Sequence, residues 1–281
     1  MAWHARLTLS YRIEQQRCVA RHAHDGPLRI LQSLYPEGDR ICHNVLVHPP
    51  GGLVGGDTLD VQVDVGEGAH GLVTTPGAAR YYRSAGAPAV QHSRIALARG
   101  ARLEWLPQEA LCYSGCLADN RLRLELADGA EMIGWDVVAL GLPNAGQPFA
   151  RGHLQQHLHW PGRWLERGRI AADDLRLMDG PTGLAGRRCL ATLFLLGAGT
   201  LDRPRREQAL DAARELIAQA EADADGAALI AGASSPHADV IVVRVLSDVV
   251  EPAIGLLRAV RGRWRQALWR LPATAPRIWA M

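Results

Sequence analysis

Lysine is missing from this chain of 281 residues: all 31 basic side chains are arginine. With no ε-amine there is no Schiff-base nucleophile and no phosphate-loop lysine, which excludes amine-dependent covalent catalysis and nucleotide hydrolysis by that route. Surplus charge is also scarce. The 31 arginines face 29 acids, a formal net charge of +2, far short of the clustered excess that a phosphate backbone demands, so nucleic acid is not an expected partner. Long apolar runs are absent. The uncharged stretch 189–201 is well below the roughly 18 residues that span a bilayer, and Arg6, Arg12 and Glu14 interrupt the apolar start where a secretory signal would need an unbroken core. A soluble, cytoplasmic protein without a membrane partner is expected. Five cysteines, Cys18, Cys42, Cys112, Cys116 and Cys189, are an odd and scattered set that suits reduced thiols rather than a disulfide framework.

What the chain does have is strand patterning. Leu59-Asp60-Val61-Gln62-Val63-Asp64-Val65 alternates aliphatic and polar residues, and Arg121–Leu126 repeats the design; period-two alternation marks a strand with one wet face. Further strands are expected over Leu7–Ile13, Ile41–His48, Gly71–Thr75, Val90–Leu97, Arg102–Leu106, Met132–Leu140, His153–Trp160, Leu190–Leu196 and Ala238–Leu246. Turns such as Gly66-Glu67-Gly68, Ala98-Arg99-Gly100 and Asp128-Gly129 separate them. Strands at about ten-residue spacing with no helix between them point to antiparallel sheets layered or coiled over one another. The last third changes period. Asp202 can cap a helix over about 203–222 carrying Leu210, Ala213, Leu216, Ile217 and Ala220, and Asp248 a second over about 249–271 carrying Ile254, Leu257, Val260, Trp264, Leu268 and Leu271. Neither a linker nor an internal repeat is evident, so the expectation is one mainly β domain over 1–281, strand-rich to about 200, with two helices packed on it.

The densest local feature is His48-Pro49-Pro50-Gly51-Gly52-Leu53-Val54-Gly55-Gly56-Asp57. Its glycines lead into a strand rather than opening a helix, which rules out a dinucleotide loop; the segment reads as a tight turn with Asp57 at its exit, either bonding the turn's free amides or facing a polar interior. Thr74-Thr75-Pro76-Gly77 and Leu106-Pro107-Gln108-Glu109 set hydroxyls, an amide and an acid at strand ends, either as ordinary strand-end chemistry or as groups lining a polar passage suited to hydrated divalent cations that exchange readily. His157-Leu158-His159 with Glu166 is the alternative, a cupin-like metal-dependent hydrolase or oxygenase. Ser114 lacks the leading glycine of a nucleophile elbow and Ser234 the trailing one, and Cys112 with Cys116 lacks the second pair of a structural zinc site.

These segments resemble the UreD family of urease accessory proteins, called UreH in some organisms. Pro27-Leu28-Arg29, Leu34-Tyr35-Pro36-Glu37, Cys42-His43, His48-Pro49-Pro50-Gly51-Gly52 and Gly55-Gly56-Asp57 stand in the family's order, followed by Thr74–Ala78, Tyr82-Arg83, Leu103–Glu109, Gly134-Trp135 and Leu140-Gly141. Ser114-Gly115-Cys116, Leu142 and Gln147 depart from the family's pattern. The resemblance implies a mainly β scaffold with no catalysis of its own, which binds apo-urease, recruits UreF and through it UreG, and helps pass nickel into the urease active site. No tightly bound cofactor is implied, only transient nickel. Asp57, Glu109, Thr74 and Thr75, with His43 and His48, would then border an interior polar path, and the two helices would serve docking.

Overall fold

The alternating segments form two facing sheets, and the chain coils between them. A computed structural model describes residues 2–223 and 229–280. One sheet has seven strands in the order Trp164–Ala171, Gly152–Trp160, Cys116–Leu126, Ala89–Leu97, Thr58–Val65, His4–Glu14 and Arg17–Asp25. The other, with twelve strands, runs Leu229–His237, Val240–Ser247, Cys189–Gly197, Glu131–Leu142, Arg102–Leu106, His70–Thr74, Ile41–Val47 and Arg29–Ile30, and four short strands lie off this path. The mainly β, coiled character is as expected, and strands at the edges pair antiparallel.

The strand direction at the centre is a correction. Thr58–Val65, Ala89–Leu97, Cys116–Leu126 and Gly152–Trp160 pair parallel, and so do Ile41–Val47, His70–Thr74, Arg102–Leu106 and Glu131–Leu142. Parallel neighbours ordinarily need a crossover helix. Here each crossover is a strand of the opposite sheet, so the chain returns in the same direction without one. The short strands Gly52–Leu53, Ala79–Tyr81 and Ala110–Cys112 stack parallel on a third side, as in a solenoid.

The coil contains a repeat that the sequence reading missed. Its corners 66–69, 98–101 and 127–130 each close with a backbone hydrogen bond, Ala69 N to Gly66 O (3.0 Å), Ala101 N to Ala98 O (3.1 Å) and Ala130 N to Ala127 O (3.0 Å). Gly68, Gly100 and Gly129 take positive φ of 65°, 64° and 77°, where a side chain would be strained, and the alanine after each is fully buried. A Gly-Ala pair returning about every thirty residues is a sequence trace of the repeat.

Three α-helices occur among the described residues, α1 (Leu175–Asp179), α2 (Arg203–Asp223) and α3 (Val250–Trp264), the last continued by a π-helical turn over Arg265–Trp269. Asp202 caps α2 as expected, its carboxylate accepting Arg205 N at 2.9 Å. Asp248 does not cap α3; it pairs with Arg187, and Val249 takes the cap position without a side-chain bond. The core has two parts. One lies between the sheets around Leu7, Val63, Leu103 and Leu124; the other lies between the twelve-stranded sheet and α2 and α3 around Trp135, Ile241, Leu257 and Trp264. No described helix is long and apolar enough to cross a membrane.

Charges are buried where α3 meets the sheet. Glu104 accepts Arg261 Nε at 2.6 Å and a second guanidinium from Arg265, and Arg265 also reaches Glu37, whose other oxygen faces His43 Nε2 at 2.9 Å. Glu104, Arg261 and Arg265 are 0%, 2% and 0% exposed. Burial alone would raise the Glu104 carboxyl, but Arg261, His70 and Arg265 hold it well below the carboxylate range. Its folded value lies under its unfolded one, so its contribution is complete above about pH 4.5 and is lost as pH falls toward the folded value. Replacing Arg265 by Met removes one of the two guanidiniums on Glu104 and the one on Glu37, leaving the two buried acids to Arg261 and His43; the unfolding free energy in urea should fall by about 3–5 kcal/mol at neutral pH, and a loss below about 1 kcal/mol would mean the knot does not hold the helix layer.

Candidate functional site

The interior amides follow from the parallel register. Alternation turns Gln91, Asn120 and Gln156 toward the opposite sheet, and in-register pairing places Gln91 beside Asn120 and Asn120 beside Gln156. They form a row of carboxamides between the sheets. Asp136, in the apolar strand Glu131–Leu142, faces them: its carboxylate accepts Asn120 Nδ2 at 3.0 Å and the Gln156 side-chain amide. Burial pushes the Asp136 carboxyl up to about 7, with Asn120 opposing the shift and Glu166 adding to it.

Gln91, Asn120 and Asp136 border a cavity of about 320 Å³, and His48, Thr74, Thr75 and Gln108 line its other walls among apolar neighbours such as Leu53, Val61 and Trp105. The Thr74 hydroxyl donates to Leu106 O at 2.6 Å and accepts Trp279 Nε1 at 3.0 Å. Thr75 donates to Gly77 O at 3.1 Å and accepts Gln108 N at 2.8 Å. Each hydroxyl keeps one acceptor lone pair. Burial lowers the His48 imidazole below its usual value, against the pull of Asp57, so a neutral ring with a free lone pair faces this space at neutral pH.

The six candidate residues are thus divided. His48, Thr74 and Thr75 share the cavity. Asp57 is spent on the turn: its two oxygens accept Trp3 N at 2.8 Å and Val54 N at 2.9 Å, the local bonding that was one of its two readings. His43 belongs to the ionic knot under α3. Glu109 lines a second cavity, of about 390 Å³, with Leu111, Cys189 and Glu251. Ala110, between Glu109 and Leu111, lines the first, so the strand Ala110–Cys112 is the wall between the two. Asp136, Gln91, Asn120 and Gln156 escaped the sequence reading; the available signal was one acid among the otherwise apolar residues 132–142 of a strand.

The cupin-like alternative fails on geometry. His157 and His159 stack with centroids 5.5 Å apart on the outer side of their strand. Glu166 is registered opposite Leu158, whose side chain is in the core, so it lies on the other side of the sheet from both imidazoles. There it pairs with Arg244 at 2.7 Å.

Comparison with known proteins agrees with the pattern of residues. The family model described as "UreD urease accessory protein" matches residues 4–280. Curated proteins named "Urease accessory protein UreD" match end to end: that of Paracidovorax citrulli is 64% identical over 281 residues and that of Variovorax paradoxus 62% identical over 280, each covering 100% of both chains. The protein of that name from Methylibium petroleiphilum is 47% identical, covering 99% of each chain.

Two outcomes test the geometry. The folded pKa of Asp136 exceeds the unfolded one, so its contribution is present below the unfolded value and lost as pH rises toward about 7. Asp136→Asn should therefore melt close to the parent near pH 4 and gain on it by a few degrees by pH 8; a gap independent of pH would refute the buried acid. Asp57→Ala frees two amides and should cost about 1–3 kcal/mol in chemical denaturation.

Proposed function

The chain belongs to the UreD family of urease accessory proteins, a maturation factor and not an enzyme, and on that premise we propose that it docks apo-urease and UreF, with UreG joining through UreF, and lends its interior to nickel on the way to the urease active site. The observation that carries this reading is the cavity between the sheets, with His48, Thr74, Thr75, Gln91, Asn120 and Asp136 on its walls. Nickel is cargo here. The donors are hydroxyl and amide oxygens, one imidazole and one carboxylate, spread over the walls of the cavity. Such groups replace part of a cation's hydration without closing a cage of thiolates or imidazoles that would hold it.

The reaction this scaffold supports is transfer, and the protein's part is positional. Asp136 is the one acid on the cavity wall among the described residues, and at a pKa of about 7 it is divided between acid and anion near neutral pH. A passing cation favours the carboxylate and displaces the proton. Beyond Gln108, the chain crosses the wall and Glu109 faces the second cavity with Glu251, so the two spaces are successive stations one residue apart. Asp57 enters indirectly, by holding the turn that carries His48.

The double variant Asp136→Asn with Glu109→Gln should still be pulled down with apo-urease and UreF, while the nickel content of urease matured with it falls several-fold. Full nickel loading alongside intact pull-down removes the path and leaves a docking adaptor. Absence of any pull-down by the parent protein removes the maturation complex itself.

A further inference from the structure

The paired glycines of the turn before Asp57 have a tertiary purpose. A Cβ on Gly52 would collide with the Tyr82 ring, and one on Gly55 would collide with Ser84 and the Ala87 carbonyl. These glycines let the turns of successive coils lie against one another and form a continuous edge. Contacts trace it. The Trp3 and Val54 amides share Asp57, Tyr82 N bonds Leu53 O at 2.9 Å, and the Tyr82 and Tyr113 rings lie 5.1 Å apart. Ser84 N then bonds Gly115 O at 3.0 Å, and Gly115 N bonds Arg151 O at 2.7 Å, with the Arg83 side chain against Gly115.

The edge is apolar and cationic together. Trp3, Val54 and Tyr82 are 53%, 44% and 36% exposed, and Arg80, Arg83 and Arg151 are exposed among them. None of the three guanidiniums lies within 4.0 Å of a carboxylate oxygen among the described residues. Asp57, the acid at this edge, is buried and occupied by backbone amides. Exposed aromatic side chains interleaved with unpaired arginine are the composition of protein interface hot spots. Arg80 and Gly51 also line the cavity of His48 and Asp136, so the edge borders that cavity's opening.

We infer that this edge is a docking surface for an acidic face of a partner protein, seated beside the opening of the interior cavity. The inference rests on the reading above that the chain works in a complex. Tyrosine and tryptophan would supply the desolvated anchors, and the arginines would meet carboxylates on the partner in bidentate pairs. The chain's net charge of +2 offers no wider basic field, which favours protein over nucleic acid as the occupant.

Two variants test it in the full-length protein, Tyr82→Ala and the triple change of Arg80, Arg83 and Arg151 to Gln, each first shown to melt with the parent. Binding is measured to immobilised apo-urease and to UreF, at low and at raised salt, with a poly-dT oligonucleotide as the competing probe. Expected is at least about tenfold weaker binding to one of the two proteins for both variants, with only the arginine variant losing its salt dependence. Unchanged binding to both proteins overturns the surface, as does arginine-dependent capture of the oligonucleotide in its place. If the parent binds neither protein, the maturation complex falls along with the surface; if it binds and the variants bind equally, only the surface falls.

Discussion

The arrangement depends on a knot of buried charge. Glu37, Glu104, Arg261 and Arg265 join three layers of chain: the loop before Ile41–Val47, the strand Arg102–Leu106, and the end of α3. Two acids against two guanidiniums leave no net charge, and His43 and His70 cap the remaining polar edge. Dry ion pairs recover little more than their desolvation penalty, so their value here is positional. An apolar helix could slide on an apolar sheet, but a helix whose two arginines must meet one glutamate has one seat. The same arginines bind the carbonyls of Thr274 and Pro272, which fixes the C-terminal segment so that Trp279 stacks on Trp135 and reaches Thr74. A wall of the interior cavity is thus tied to the helix layer through the knot.

Coiling explains why the polar interior exists. In an antiparallel hairpin the polar face would be the solvent face throughout. In a coil of parallel strands, the same position of each turn is stacked on the last, and an amide placed inward by Gln91 is extended by Asn120 and Gln156 into a row, two of whose members donate to Asp136. The outer edge obeys the same rule. Turns stack as strands do, so aromatic and arginine side chains scattered through the sequence become one surface. A scaffold built this way offers an inner lining and an outer rim from a single repeat.

Much of the fold was legible in the residues. Arg102–Leu106 has the boundaries that alternation assigns it, α2 begins at the cap Asp202 provides, and α3 with its π turn runs close to the expected span. Alternation and capping are local, and local patterns survive in one dimension. The six candidate residues are divided among two cavities, a turn and the ionic knot for the same reason. Thr74 and Thr75 could be placed at a strand end beside a turn, but nothing local told a cavity wall from a turn staple, and Asp57 is the staple.

Residue order by itself determined which segments are strands, which are helices, where the chain turns, and that no lysine chemistry operates. It also carried the resemblance to the UreD family, because motifs such as His48–Asp57 and Leu103–Glu109 are contiguous. Only the tertiary structure decided strand direction, the pairing of Glu104 with arginines more than 150 residues away, the opposite facing of Glu166 and the histidines, and the meeting of Asp136 with Asn120. Each of these depends on which strand lies beside which. A strand's own pattern specifies its two faces, whereas its neighbour is chosen by the packing of the whole coil.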